Sequence, residues 1–177
     1  MRTIVLAAAL LALSASADAQ LANKAYIGGA FGLSNVEVAC DHLPSCDTGD
    51  TGYKLYGGFK VHPQIAIEGG YIDFGKATFT GGSIGVDGFV ANAAGRLSLS
   101  RELVGVGRLG LAFVDTKASG WYGNRSEGTT SLYFGLGLEY GINKNLRATA
   151  SADFTSGEIA GDDGAVRLLG VGLQYDF

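Results

Sequence analysis

From about residue 24 onward, apolar side chains recur at every second position in runs separated by glycine-rich and polar breaks. The last run is the clearest: Leu169, Val171, Leu173, Tyr175 and Phe177 share one parity, while Leu168, Gly170, Gly172, Gln174 and Asp176 share the other. Leu132, Phe134, Leu136, Leu138 and Tyr140 alternate in the same way with Tyr133, Gly135, Gly137 and Glu139. Leu146, Ala148, Ala150, Ala152 and Phe154 oppose Arg147, Thr149, Ser151 and Asp153. A period of two puts alternate side chains on opposite faces of a strand, and helical spacing fits none of these runs. Eight segments follow, near 24–33, 53–61, 64–75, 87–100, 103–116, 129–141, 145–156 and 165–177. Their connections alternate: Val61 to Gln64, Leu99 to Leu103 and Gly141 to Asn145 are tight, whereas 35–51, 76–86, 117–128 and 157–164 are longer and polar.

The less apolar face decides the setting. A water-soluble sandwich or lipocalin-like barrel also alternates, but its second face must coat a surface. Here that face carries glycine, small residues and isolated charges, too thin a cover for water and well suited to a narrow lumen. Glycine numbers 29, charged residues are 17% and hydrophobic residues 47%, with no run after residue 19 long enough for a membrane helix. A chain that spans lipid without helices must close its sheet, because every backbone N–H and C=O needs an internal partner. The fold expected is all-β, an eight-stranded antiparallel transmembrane β-barrel, with short turns and both termini on the periplasmic side. Tyr26, Tyr71, Tyr140, Tyr175 and Phe177 fall near strand ends, where aromatic girdles sit.

The first residues read as an export signal: Arg2, an unbroken apolar run from Ile4 to Leu13, then Ala17-x-Ala19 as a cleavage site. Residues 1–19 form the expected signal peptide and 20–177 the barrel domain, about 158 residues after cleavage. Export through an oxidising compartment pairs Cys40 with Cys46, a spacing too sparse for a zinc site even with His42 between them. The net charge of −4 speaks against nucleic acid, which calls for clustered cations.

Gly52-Tyr53-Lys54-Leu55-Tyr56-Gly57-Gly58-Phe59 followed by Ile67-Glu68-Gly69-Gly70-Tyr71-Ile72-Asp73-Phe74-Gly75 resembles the second and third strands of the OmpA-like transmembrane domain. Tyr26-Ile27-Gly28-Gly29-Ala30-Phe31-Gly32 is similar to its first strand, and Gly137-Leu138-Glu139-Tyr140-Gly141 to its sixth. The resemblance covers the expected mature chain and implies the outer membrane, with lipid and lipopolysaccharide as surroundings and periplasmic chaperones and the barrel-assembly machinery as partners in biogenesis. It does not carry over the periplasmic peptidoglycan-binding module. The expected state is a monomer, with no cofactor and no catalytic or metal site.

Parity selects the candidate residues. Glu68, Arg96, Arg108, Glu139 and Arg147 point inward and form the expected lumen network, since charges removed from water persist when paired. Glu68, Arg96 and Arg108 are expected at similar depth, with Asp176 and Lys24 near the periplasmic end. The resemblance adds that Glu68 can exchange between arginine partners and open a narrow ion path. The function expected is envelope integrity or surface interaction, the alternative being a small porin. A lipid-modifying enzyme would need a histidine beside a serine or acid, and the two histidines are His62, in an expected periplasmic turn, and His42, in the cysteine loop. Acidic residues Asp41, Asp47, Asp50, Asp87, Glu127, Glu158, Asp162 and Asp163, with Trp121 and Tyr122, mark the outer loops. Leu173, Tyr175 and Phe177 make the aromatic-ended terminal strand that the assembly machinery reads in barrels of this compartment. Deleting Phe177 should slow membrane insertion without changing export; normal amounts of folded truncated protein in the membrane fraction would contradict that role.

Overall fold

The structure, a computed structural model, describes residues 24–36, 46–47, 49–79, 82–120, 123–159 and 162–177. The expected signal peptide, Cys40, His42, Trp121 and Tyr122 lie outside the described residues, and with Cys40 the expected disulfide. The strands are β1 (Ala25–Val36), β2 (Cys46–Asp47), β3 (Gly49–His62), β4 (Ile65–Phe79), β5 (Gly82–Ser98), β6 (Leu103–Gly120), β7 (Gly123–Gly141), β8 (Leu146–Ile159) and β9 (Asp162–Asp176). β2 is a two-residue pairing to the outer end of β4. The other eight form one antiparallel ring, each bonded to its neighbours and closed by β1 against β9, from Tyr26↔Asp176 to Val36↔Val166. Closure leaves no edge in the membrane zone for lipid to meet.

The register also sets the tilt. Following paired residues around the ring leads from Asn35 to Arg167, Phe154, Phe134, Leu109, Ala93, Ile67, Phe59 and back to Ala25. The walk returns to β1 ten residues below its start, from 35 to 25, so the strands are staggered by ten over eight. A barrel of this size has a bore just wide enough for side chains.

Parity sorts the side chains as lipid demands. Phe31, Leu55, Ile67, Phe89, Leu109, Leu136 and Val171 face outward and are exposed, while alternate positions line the bore and are buried. Tyr53, Tyr71 and Phe89 follow one another in tilted and edge-to-face contacts at ring-centroid distances of 6.1 and 5.3 Å, and Phe134 meets Phe154. Tyr175 and Phe177, 5.4 Å apart, and Tyr140 mark the periplasmic belt. Tyr26 does not belong to a girdle. It has inward parity and is 2% exposed in the bore, where the stagger carries the start of β1 below Glu68.

The outer connections differ from the expectation of long polar loops. The hairpins β4–β5, β6–β7 and β8–β9 keep their ladders up to Phe79↔Gly82, Gly120↔Gly123 and Ile159↔Asp162, and β5 stays paired with β6 up to Gly82↔Gly120. Polar sequence ends the lipid-facing pattern there, but β-branched Thr suits extended backbone and the ladder hydrogen bonds carry on, so hairpins continue above the apolar belt. β7 and β8 pair only from Phe134↔Phe154 down to Gly141↔Arg147. Just above, the Thr155 hydroxyl donates to the Leu132 carbonyl at 3.0 Å. The β4 ladder shifts between Asp73 and Lys76, where Gly75 has φ +73°, a conformation that costs glycine little. Asp73 accepts the Gly75 amide at 2.8 Å, and Asp50 accepts the Lys76 amide at 2.7 Å.

Short turns close the other end. Asn143 Oδ1 accepts the amides of Asn145 and Leu146 at 2.9 and 2.8 Å, and Ser100 Oγ accepts those of Glu102 and Leu103. Leu109 lies near mid-belt and is 63% exposed. Leu109→Arg should destabilise the vesicle-folded barrel by roughly 2–4 kcal/mol in a denaturant titration; a change within about 0.5 kcal/mol, the range of ordinary surface substitutions, would contradict the lipid-facing assignment.

Candidate functional site: the barrel interior

The inward faces build three layers. The lowest joins β3, β5, β7, β8 and β9. Arg96 Nη1 donates to Glu139 Oε1 at 3.0 Å, and its Nη2 to Glu139 Oε2. Arg147 Nε donates to Asp176 Oδ2 at 2.9 Å and stands 3.9 Å from Glu139. Lys60 Nζ reaches Asp176 at 3.1 Å, and Gln174 Nε2 donates to the same carboxylate at 2.9 Å.

In the middle layer Glu68 receives two groups. Arg108 Nε donates to its Oε2 at 2.6 Å, and the Tyr26 hydroxyl donates to its Oε1 at 2.7 Å. Above them Lys54 Nζ meets both Asp153 oxygens at 2.8 and 2.7 Å, with Tyr133 and Ser151 donating to the same carboxylate. Lys54 and Asp153 come from β3 and β8, three strands apart around the ring, so the pair bridges the bore.

Two tyrosines each meet two cations. Lys60 and Arg96 lie over Tyr26, 5.5 and 5.6 Å from its ring centroid, and Lys54 and Arg108 over Tyr56, at 5.3 and 5.5 Å. Both rings rest on glycine: a Cβ on Gly28 would overlap Tyr56, and one on Gly58 would overlap Tyr26. Small residues thus make room for aromatic rings that place hydroxyls and π faces among the charges. Tyr56 donates to Gln174 at 3.1 Å.

The third layer is apolar. Ile72, Phe74, Ala77, Val86, Val90, Ala112, Val114, Tyr133, Val166 and Leu168 pack into one buried cluster. β5 and β9 stand four places apart in the eight-strand ring, directly opposite, so a cluster holding Val86 and Leu168 closes the outer mouth. A cavity of about 10 Å³ lies between Lys54, Tyr56, Arg108 and Glu139, room for about one water molecule.

The five network residues expected from sequence therefore lie in the bore; Glu68 meets Arg108 and Arg147 stands near Glu139, while Arg96 does not reach Glu68. Glu68 pairs across its ladder with Asn92, four residues above Arg96 on β5, so Arg108 is its arginine and Arg96 turns to Glu139. Lys60, rather than Lys24, joins Asp176. Lys54, Asp153, Tyr26, Tyr56 and Tyr133 were missing from the expected network, although inward parity at a depth shared with Glu68 or Arg108 was the signal that marks them. His62 lies exposed in the Pro63-Gln64 turn, accepting the Gln64 amide at 3.3 Å. At the outer rim Lys117 Nζ donates to Asp87 at 2.6 Å, which raises the lysine pKa. The amides of Thr51 and Lys76 hold the Asp50 carboxyl below its ordinary value.

Comparisons bear on the same architecture. A family model described as outer membrane protein beta-barrel domain matches residues 4–177. Comparison with curated protein sequences finds no match. Among solved structures, Neisserial surface protein A is similar with a TM-score of 0.68 and 9% identity over 86% of this chain and 97% of that one. The N-terminal β-barrel domain of Pseudomonas aeruginosa OprF gives 0.62 and 17%, over 88% and 98%. Ail, the attachment invasion locus protein of Yersinia pestis, gives 0.57 and 18%, over 86% and 98%.

The Lys54–Asp153 bridge yields a stability prediction. Lys54→Met should cost about 3–5 kcal/mol by leaving a buried carboxylate uncompensated, and Lys54→Met with Asp153→Leu should recover most of it. Equal losses in the single and double variants, measured by urea unfolding in detergent, would contradict the bridge.

Proposed function

Because this chain belongs to the outer membrane protein β-barrel family, we propose that it serves envelope integrity and surface interaction as a closed barrel, without a transport path. The carrying observation is the apolar cluster that joins β5 to β9 across the outer mouth. Ions entering from outside would meet packed Phe74, Val114 and Leu168 before reaching the charges of the buried network. Below, each charged side chain of the network contacts an opposite charge at 3.1 Å or less. An ion would have to displace two of these layers in turn.

A small porin fits this interior poorly. Exchange of Glu68 between arginines needs Arg96 free, and Arg96 is committed to both oxygens of Glu139. The outward reach of β6 and β7, strands of 18 and 19 residues against about 9–11 for a membrane crossing, supports a surface role. It holds paired backbone and polar side chains above the apolar belt.

In planar bilayers the full barrel should give no stepwise conductance, and Glu68→Ala should stay silent because the apolar cap remains. Regular steps from the wild type, or their appearance in Glu68→Ala alone, would overturn the closed-barrel reading.

A further inference from the structure

The outer wall is not uniform. β8 turns Ala150 and Ala152 toward lipid, between Leu136 and Leu138 of β7 and Leu169 and Val171 of β9. The short side chains floor an apolar groove of about 840 Å³, whose far wall is Phe31 and Leu33 of β1. The groove is shallow and open along its length, a shape for one side of an extended acyl chain rather than for an enclosed ligand. Its upper row is Ala152, Leu169 and Leu33, which places it in the outer half of the belt.

One row higher stands Arg167, paired in the ladder with Phe154 and Asn35 and exposed on the lipid-facing parity. Its described polar contact is Asn35 Oδ1 at 3.5 Å, and among the described residues no carboxylate pairs with it. Lys117, on the rim across the ring, is by contrast neutralised by Asp87. An exposed guanidinium beside Phe154, directly above an apolar groove, offers a phosphate its fork of donors while the groove takes an acyl chain. A guanidinium with no carboxylate partner among the described residues favours an anionic headgroup over a zwitterionic one.

We propose that Arg167 and the groove over β8 seat one lipopolysaccharide molecule of the outer leaflet, a phosphate on the guanidinium and an acyl chain along Ala150 and Ala152. This rests on the outer-membrane placement alone, so an open bore would leave it standing. The groove supplies shape and the arginine supplies charge; loss of either weakens retention.

The test folds the full chain into phosphatidylethanolamine vesicles containing lipopolysaccharide, extracts it in mild detergent and counts retained lipid by native mass spectrometry. Wild type should keep one lipopolysaccharide. Arg167→Gln, and separately Ala150→Leu with Ala152→Leu, should keep at least fivefold less, while Arg167→Lys keeps an intermediate amount. Dephosphorylated lipopolysaccharide offered to the wild type should fall to the Arg167→Gln level, a comparison that needs no variant to fold. Equal retention by wild type and Arg167→Gln, equal retention of the dephosphorylated lipid, or displacement by an equal amount of phosphatidylglycerol would each overturn the proposal.

Discussion

A backbone that crosses lipid has no water to satisfy it, and the rest of this structure depends on that constraint. It forces β1 onto β9, and closure of eight strands at a stagger of ten leaves a bore that side chains must fill. Glycine is how the filling fits. A Cβ on Gly32 would overlap the Leu169 carbonyl, and one on Gly172 the Gly29 carbonyl, so close strand approach on the β1–β9 seam requires bare backbone on the inner face. Gly28 and Gly58 instead give floor space to Tyr56 and Tyr26.

Once the bore is filled, electrostatics decides what fills it. A lone charge withdrawn from water costs several kcal/mol, and here Lys54, Arg96 and Arg108 are each within 9% of full burial. Each has a carboxylate in direct contact, and each lies against the ring of Tyr26 or Tyr56. The outer mouth is closed by different means, with Phe74, Val114 and Leu168 packed as in a soluble core. Polar and apolar closure fail under different perturbations, which makes a barrel sealed by both resistant to single substitutions.

Much of this was legible from alternation alone. Parity assigns Leu109 to lipid and Arg108 to the bore, as the structure does, and the eight segments correspond to the eight barrel strands. The partner of Arg96 was not legible, because it depends on stagger. Without the ten-residue offset, Arg96 and Glu68 seem level on adjacent strands, and Tyr26 reads as an interface residue since it stands near a strand end. The outer hairpins were missed for another reason: above the membrane the apolar alternation stops while the hydrogen-bond ladder does not. Lys54 and Asp153 lie on strands adjacent in neither sequence nor sheet, so only the closed ring brings them together.

The most direct test of the closed bore is chemical access from the water. In a Cys40→Ser/Cys46→Ser background folded into vesicles, Ala112→Cys within the cap and Asp115→Cys on the outer rim would be exposed to a charged thiol reagent. A sealed bore predicts that the cap cysteine reacts at least about a hundredfold more slowly than the rim cysteine; comparable rates would mean that water and ions pass the cap and that the barrel is open.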